Sequence, residues 1–116
     1  MDSKPIFHIE TTTGDVLNSI KKISSIIRAK GGYFKGKRLI FLEVNDGLFR
    51  IYVDSINDSI PTAKVTGKGK ISLNFNSVFS AIKTYPKSSV VVFEAYNNFL
   101  LVNGSLQLNE QYSNTR

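Results

Sequence analysis

One stretch near the start of the chain, residues 15–28, repeats apolar side chains at helical spacing and predicts an amphipathic helix. Its apolar stripe consists of Val16, Ile20, Ile23 and Ile27. The opposite side carries Asn18, Lys21, Ser25 and Arg28, with Lys22 at its margin. Asp15 at the start and Arg28 near the end both favour the helix dipole, and Thr13 or Asp15 is placed to cap the first turn. Because no acidic residue follows Asp15 in the stretch, the polar side is either an ordinary solvated face or a cationic surface for a polyanion.

Alternating apolar and polar residues predict strands over most of the remaining chain. The predicted strands cover residues 6–10, 39–44, 48–54, a segment within 59–66, 70–75, 89–96, 99–102 and 105–109. Asn45, Asp46 and Gly47, between the second and third of these strands, are a strong hairpin signal. Pro61 has no backbone N–H, so it confines the start of the strand within 59–66 to a sheet edge or a bend.

A second, shorter helix is predicted at residues 77–85, preceded by Asn76 or Ser77 as the cap and ended by Pro86. Its apolar side consists of Val78, Ala81, Ile82 and Tyr85. The chain therefore runs strand, helix, three strands, and then repeats that order. This predicts an α+β fold, a duplicated strand-helix-three-strand unit with two helices packed on antiparallel sheets. We expect one domain at residues 1–110 and a polar C-terminal tail at residues 111–116.

The charge balance changes the picture of possible partners. Lys and Arg number 15 and Asp and Glu number 9, which gives a net charge of +6. Positive charge spread along a whole chain favours an acidic partner, of which nucleic acid is the commonest. The chain has no cysteine, and therefore no disulfide, thiolate metal site or cysteine nucleophile. With no signal-peptide core and no membrane-spanning apolar run, we expect a cytoplasmic protein without a membrane partner.

The glycine-rich segment 31–38 matches a phosphate-binding loop only in part. Gly31, Gly36 and Lys37 fit that motif, but Arg38 stands where a hydroxyl must reach magnesium. The motif also needs a strand before it and a helix after it, and the predicted order here is the reverse, which disfavours nucleotide hydrolysis. The cations of this region, Arg28, Lys30, Lys35, Lys37 and Arg38, surround Tyr33 and Phe34. This combination fits either contacts to phosphates and bases or a solvated loop whose rings pack on the core.

Side chains that commonly carry catalysis are present but show no recognisable grouping. His8 is the only histidine and has no companion in the sequence, so a structural or surface role is favoured over catalysis or metal binding. Asp46 and Asp58 are explained as turn residues, and Asp54 as a strand-end residue that hydrogen-bonds a loop. No serine lies in a G-x-S-x-G motif. The sequence therefore predicts a protein that is not an enzyme, with no catalytic residue, no metal site and no cofactor.

The doubled strand-helix-three-strand pattern resembles one domain of the DNA sliding clamps, the processivity rings of DNA polymerases, and in particular the bacterial DNA polymerase III beta subunit. The stretches that carry the resemblance are IFHI at 6–9, LIFLEVNDGLFRIYVD at 39–54, GKGKISLNFNSVFSAIKTYP at 67–86 and VVVFEAYNNFLLVNG at 90–104. They cover most of the chain. What they share with the family is apolar alternation, a strand pair that closes on an aspartate, and a strand followed by a helix and a proline.

The resemblance implies that the two helices face the DNA backbone and bind double-stranded DNA without reading its sequence. Carried over by position, the DNA-binding residues are Lys21, Lys22, Arg28, Lys30, Lys35, Lys83 and Lys87. It also implies a DNA polymerase or another replication protein as a partner. The chain departs from the family in four respects. It covers one domain where members have two or three, and it has KGKR where bacterial clamps often carry a Leu-Pro segment. It does not cover the later domain and C-terminus that hold most of the family's pocket for partner peptides, and it is basic overall.

Two functional classes remain open. One is a DNA sliding-clamp-like protein, and the other is a non-enzymatic interaction or structural module that keeps the clamp fold without encircling DNA. An OB-type single-strand binder is disfavoured because that fold usually has one helix. A homo-oligomeric ring would require pairing of edge strands, for which the strand within 59–66 and the strand at 105–109 are candidates. Pro61, Lys64 and Lys68 are typical of edges protected from such pairing.

Overall fold

The computed structural model of the protein describes residues 4–29 and 38–111, which form two helices and nine strands. The helices are α1 (Thr13–Ala29) and α2 (Phe75–Ile82). The strands are β1 (Phe7–Thr12), β2 (Leu39–Asn45), β3 (Leu48–Val53), β4 (Ile56–Ile60), β5 (Lys64–Gly67), β6 (Gly69–Asn74), β7 (Val90–Ala95), β8 (Phe99–Val102) and β9 (Leu106–Asn109). They form two antiparallel sheets, of order β5-β1-β7-β8-β9 and β4-β3-β2-β6. The predicted α+β class is confirmed.

Each half of the chain gives its first strand to the sheet of the other half. β1 pairs with β7, and β6 pairs with β2. The strands β2, β3 and β4 form one meander, and β7, β8 and β9 form another. The duplicated unit predicted from the sequence is therefore confirmed in element order, with β5 as an additional strand between the two units. Because of the exchange, neither sheet is complete without both halves.

The single strand predicted within residues 59–66 is wrong, because two strands occupy this region. β4 ends at Ile60 in the four-stranded sheet, and β5 begins at Lys64 on the edge of the five-stranded sheet. A turn starting at Pro61 joins them, closed by the Ala63 N–H donating to the Ile60 carbonyl at 3.2 Å. Proline has no N–H to continue a ladder, so the chain leaves one sheet and enters the other there. Edge positions were predicted for the segments 59–66 and 105–109. In the described part of the chain β4, β5 and β9, which occupy these segments, do lie at sheet edges.

Gly67 allows β5 to approach the chain just before β1. Its φ is +84°, and a Cβ atom at this position would lie 2.2 Å from the carbonyl oxygen of Ile6. Only glycine tolerates both this backbone conformation and this distance. The same carbonyl accepts the N–H of Lys68 at 3.3 Å, which holds the end of β5 in place.

α1 begins slightly earlier than the sequence pattern indicates. Its first residue is Thr13, and the N–H of Asp15 donates to the Thr12 hydroxyl at 3.2 Å. The predicted capping residues, Thr13 and Asp15, are therefore wrong, because the preceding threonine supplies the oxygen that the first turn requires. The carboxylate of Asp15 still lies in the first turn, where it favours the helix dipole.

α2 also begins earlier than predicted. Asn74 is its cap, and the Asn74 side-chain oxygen accepts the N–H of Ser77 at 3.0 Å. The prediction of Asn76 or Ser77 as the cap is wrong, and so is the placement of Phe75 in a strand. The physical reason is that Asn74 both ends β6 and caps the helix, so that no loop separates the two elements. The helix ends at Ile82, before the predicted end at residue 85.

The inner faces of the two sheets and the apolar sides of both helices form one core. Phe49 on β3 and Phe93 on β7 meet across the sheets, with ring centroids 6.2 Å apart. The predicted α1 stripe is buried throughout, and Leu17 joins it. The buried residues of α2 are Phe75, Val78, Ala81 and Ile82. Tyr85, which follows the helix, packs partly buried against this core.

The chain after β9 is tied to the other sheet. The N–H of Gln111 donates to the Ser72 carbonyl at 2.9 Å, and the Ser72 hydroxyl donates to the Gln111 carbonyl. Ser72 lies on β6, at the edge of the four-stranded sheet. Gln111, the first residue of the predicted tail, therefore contacts the fold, and residues 112–116 lie outside the described residues.

Replacing Ile20 or Ile82 by alanine should lower the free energy of unfolding by about 2–5 kcal/mol, because each side chain is fully buried on its helix. Equilibrium urea denaturation measures this loss. The matched control is Ile26→Ala on α1, where the side chain is 41% exposed and we expect a change below about 0.5 kcal/mol. Equal losses at Ile20 and Ile26 would contradict the assignment of the α1 faces.

Candidate nucleic-acid interface

α1 and α2 lie side by side and run in opposite directions. At one end, Arg28 of α1 lines the same groove as Asn76 in the first turn of α2. At the other end, the N–H of Gly14 donates to the carbonyl of Lys87, shortly after α2, at 2.9 Å. The strand exchange produces this arrangement, because each helix directly follows one of the exchanged strands. The two helices therefore share one surface of the fold.

The described cations that were predicted to bind DNA lie on or beside these helices. They are Lys21, Lys22 and Arg28 on α1, Lys83 directly after α2, and Lys87 beside the start of α1, and all are exposed. We call these residues the two-helix face. The other predicted DNA-binding residues, Lys30 and Lys35, lie outside the described residues. The fold thus brings together the cations of two segments that are far apart in the sequence.

A groove of about 500 Å³ lies between α1 and α2. Ile20 and Phe75, which are almost fully buried, and the half-buried Phe79 provide its apolar floor. Lys21 and Arg28 are the charged residues of its lining, and no carboxylate occurs among its described lining residues. The remaining lining residues are Ser24, Ser25 and Asn76. The groove therefore combines an apolar floor with a cationic rim.

Phe75, Phe79 and Lys83 follow one another along α2 at four-residue spacing. The two phenyl rings are nearly parallel, at 11°, with centroids 5.8 Å apart, and the Lys83 Nζ atom lies 5.2 Å from the Phe79 centroid. Phe79 therefore contacts one neighbour a turn before it and another a turn after it on the same helix, and it also lines the groove. Sequence reasoning missed this series, although the four-residue spacing of the two phenylalanines and the lysine was the available signal.

The other side of α1 is partly neutralised by β4 and the turn that follows it. The Asp58 carboxylate lies 3.8 Å from the Lys22 Nζ atom and accepts a hydrogen bond from the buried Ser19 hydroxyl at 2.7 Å. The Asp15 carboxylate accepts the Thr62 hydroxyl at 3.0 Å. The prediction that Asp58 is a turn residue is wrong, because it lies within β4 and reaches α1. Lys22, the cation on this side of α1, therefore forms an ion pair, and its side chain remains 68% exposed.

A second group of charged and aromatic side chains lies on the outer face of the four-stranded sheet. The Lys70 Nζ atom is 5.1 Å from the Phe41 ring centroid and 4.6 Å from the Tyr52 ring centroid. The Tyr52 hydroxyl donates to the Glu43 carboxylate at 2.6 Å. This hydrogen bond, followed by burial, raises the pKa of Tyr52. Because the cation and the carboxylate each have a partner within the group, we interpret it as a contribution to sheet stability.

The other residues considered for catalysis form structural pairs. The Nδ1 atom of His8 lies 3.4 Å from a carboxylate oxygen of Glu94, so β7 supplies the companion that the sequence did not reveal. The Arg38 guanidinium pairs with the Asp54 carboxylate at the end of β3. Within residues 4–29 and 38–111, no group of histidines and carboxylates could hold a metal ion. None of the helices in these same residues has both the length and the apolarity needed to cross a membrane.

Comparison with known proteins identifies the fold. The structure of DNA polymerase III subunit beta from Borrelia burgdorferi, in complex with a natural product, matches with a TM-score of 0.68 and 11% sequence identity. The match covers 97% of this chain and 31% of that chain. Neither a protein-family profile nor a curated protein sequence matches this chain. At this identity the likeness shows a sliding-clamp-like fold, and any function has to be argued from the residues.

Tyr52 should ionise at a higher pH than an ordinary tyrosine, because the Glu43 carboxylate accepts the hydrogen bond of the protonated hydroxyl. Its contribution to stability is complete below the unfolded tyrosine pKa of about 10 and is lost as the pH rises through the higher folded pKa. Glu43→Gln should lower the pKa of Tyr52, and an NMR titration of the ring resonances measures both values. Glu94→Gln is the control, and an unchanged Tyr52 pKa in Glu43→Gln would contradict the assignment.

Proposed function

We propose that this chain is a DNA sliding-clamp-like protein, a polymerase processivity factor or a clamp-related domain, that binds duplex DNA without reading its sequence. The two-helix face is the proposed contact surface. The observation that carries the proposal is the antiparallel packing of α1 and α2, which places Lys21 and Arg28 in the lining of one groove and Lys83 beside Phe79, another residue of that lining. Of the described carboxylates at α1, Asp58 of β4 contacts Lys22 and Asp15 of α1 itself accepts the Thr62 hydroxyl, and neither lines the groove.

The fold likeness supports the proposal from a different direction. The structural neighbour is named as a subunit of a DNA polymerase, and its fold matches 97% of this chain. The sequence stretches quoted above resemble the sliding clamps, whose helices face the DNA backbone. On this basis we propose a DNA polymerase or another replication protein as a partner, a cytoplasmic location, and no enzymatic activity of the chain itself.

Phosphate neutralisation supplies the binding energy in this proposal. Each lysine or arginine that contacts a phosphate releases condensed counterions, and the slope of log K against log salt steepens by about 0.9 for each contact. Arg28 can hold two phosphate oxygens with its planar guanidinium, whereas Lys21 acts as a point charge. Such contacts position the protein on the duplex and carry no base information. The affinity should therefore be independent of sequence and strongly dependent on salt.

Reversing both groove-side charges, Lys21→Glu with Arg28→Glu, should weaken duplex binding by about tenfold or more and reduce the salt slope by about two. Fluorescence anisotropy of a labelled duplex at several salt concentrations measures both effects. The matched control reverses Lys64 on β5 and Lys68 just after it, which changes the net charge equally at residues that do not line the groove. We expect a clearly smaller loss from this control pair.

Equal losses from the two double variants would indicate diffuse charge attraction and would contradict a special role for the helices. No measurable duplex binding by the unaltered chain would contradict the proposal as a whole. The second candidate, a non-enzymatic interaction module that keeps the clamp fold, would then be favoured. The Lys22–Asp58 ion pair favours this second candidate, because one cation of the two-helix face already has a carboxylate partner within the protein.

The edge strands bear on whether copies of this chain assemble. Among the described strands, β4, β5, β6 and β9 lie at sheet edges. Pro61, Lys64 and Lys68, near β4 and β5, are of the type that opposes pairing between copies, and β6 is hydrogen-bonded to Gln111. We therefore expect a monomer or a dimer at micromolar concentration, with or without DNA, and light scattering measures the mass. A ring-sized mass, together with retention on nicked circular DNA that is lost when the circle is cut, would establish a self-assembled ring instead.

A further inference from the structure

We propose that the groove between α1 and α2 is the docking site for an acidic peptide segment of a partner protein. An apolar side chain of the peptide would pack against Ile20 and Phe79, and its carboxylates would contact Lys21 and Arg28. Because the two cations belong to the two-helix face, the bound peptide excludes DNA. This exclusion rests on the proposed function, whereas the docking itself does not.

The floor of the groove is suited to an apolar side chain. Ile20 is 1% exposed and Phe75 is 6% exposed, so both lie at the bottom, and the half-buried Phe79 completes the floor. The volume of about 500 Å³ lies within the range of small-molecule pockets. An apolar group placed there leaves water and gains contacts with two aromatic rings.

The rim determines the charge of the ligand. Lys21 and Arg28 line the groove, the Lys83 ammonium lies beside Phe79, and no described lining residue is a carboxylate. The Ser24 hydroxyl donates to its own helix at the Ile20 carbonyl, 2.9 Å away. Ser25 is exposed and offers a hydroxyl to the backbone of a ligand. A ligand with carboxylates on both sides of an apolar group complements this arrangement.

Nucleic acid fits the rim but not the floor. A duplex presents phosphates to Lys21 and Arg28, but its bases remain stacked inside the helix and cannot enter the groove. An unpaired base would require an open aromatic face for stacking. A base stacking on Phe79 would have to compete with the existing contacts of that ring, the stack on Phe75 and the Lys83 ammonium 5.2 Å from its centroid. A peptide with an apolar anchor uses both the floor and the rim, so we assign the groove to a peptide.

The test uses a fluorescein-labelled, end-capped peptide in which a leucine and a phenylalanine are flanked on both sides by glutamates. Two matched peptides separate the contributions, one with serines in place of the apolar pair and one with glutamines in place of the glutamates. We expect each matched peptide to bind the intact chain at least about tenfold more weakly than the parent. Equal binding of the serine peptide would show charge attraction alone and would overturn the proposal.

Variants of the chain locate the site. Phe79→Ala should weaken peptide binding by about tenfold and leave duplex DNA binding unchanged, since DNA does not use the floor. Ser25→Glu, at an exposed position in the groove, should weaken peptide binding even if the phenylalanine variant is unstable. Asn18→Glu adds the same charge to the same helix outside this groove and is the control.

The outcomes separate this inference from the proposed function. Unchanged peptide affinity in Ser25→Glu, or equal losses in Ser25→Glu and Asn18→Glu, would overturn the docking site. A loss of DNA binding in Phe79→Ala as large as the loss of peptide binding would assign the groove to DNA and overturn it as well. If the peptide binds as expected but the chain does not bind DNA, the docking site is supported. The proposed function, and with it the exclusion of DNA by the peptide, would then be contradicted.

Discussion

The exchange of β1 and β6 between the two sheets is the constraint on which the rest of the structure depends. Each exchanged strand leads directly into a helix, so the pairing of β1 with β7 and of β6 with β2 fixes where both helices begin. α2 has 8 residues and would not persist as an isolated helix in water. The surface shared by the two helices is therefore maintained by long-range strand pairing and core packing, and not by helix propensity.

The spacing of apolar residues was sufficient to predict most of the helices and strands. Each of them buries one face, so its apolar residues repeat with the period of a helix or of a strand. The α1 stripe is buried as its spacing predicts, and the hairpin at Asp46 and Gly47 has the positive φ angles, 54° and 75°, that its sequence indicates. The predictions that were wrong concern junctions. One residue, Asn74, ends a strand and caps a helix, and Pro61 divides one apparent strand between two sheets. At Asn74 no loop separates the two elements, and at Pro61 a turn of three residues joins them.

The candidate site was less predictable, because its character depends on residues from separate elements. A helical projection of α1 places Lys21 on the polar side and Lys22 at its margin, with no sign of which has a partner. In the fold they differ, since Asp58 from β4 contacts only the second, while the first lines the groove formed with α2. No local signal reports that Phe79 reaches this groove, because that requires knowing that the helices are neighbours. The sequence can therefore supply the charges of such a surface but not their pairing.

The strand exchange also has a consequence for synthesis on the ribosome. All partners within the four-stranded sheet are available once residue 74 has emerged, because β6 pairs back onto β2. The five-stranded sheet forms later, since β1 can pair with β5 only after synthesis has passed residue 64 and with β7 only after it has passed residue 90. At about 5–20 residues per second, the apolar side chains of Phe7 and Ile9 stay without their final partners for several seconds. The four-stranded sheet can thus form first, and of the nine described strands β1 waits longest for its partners.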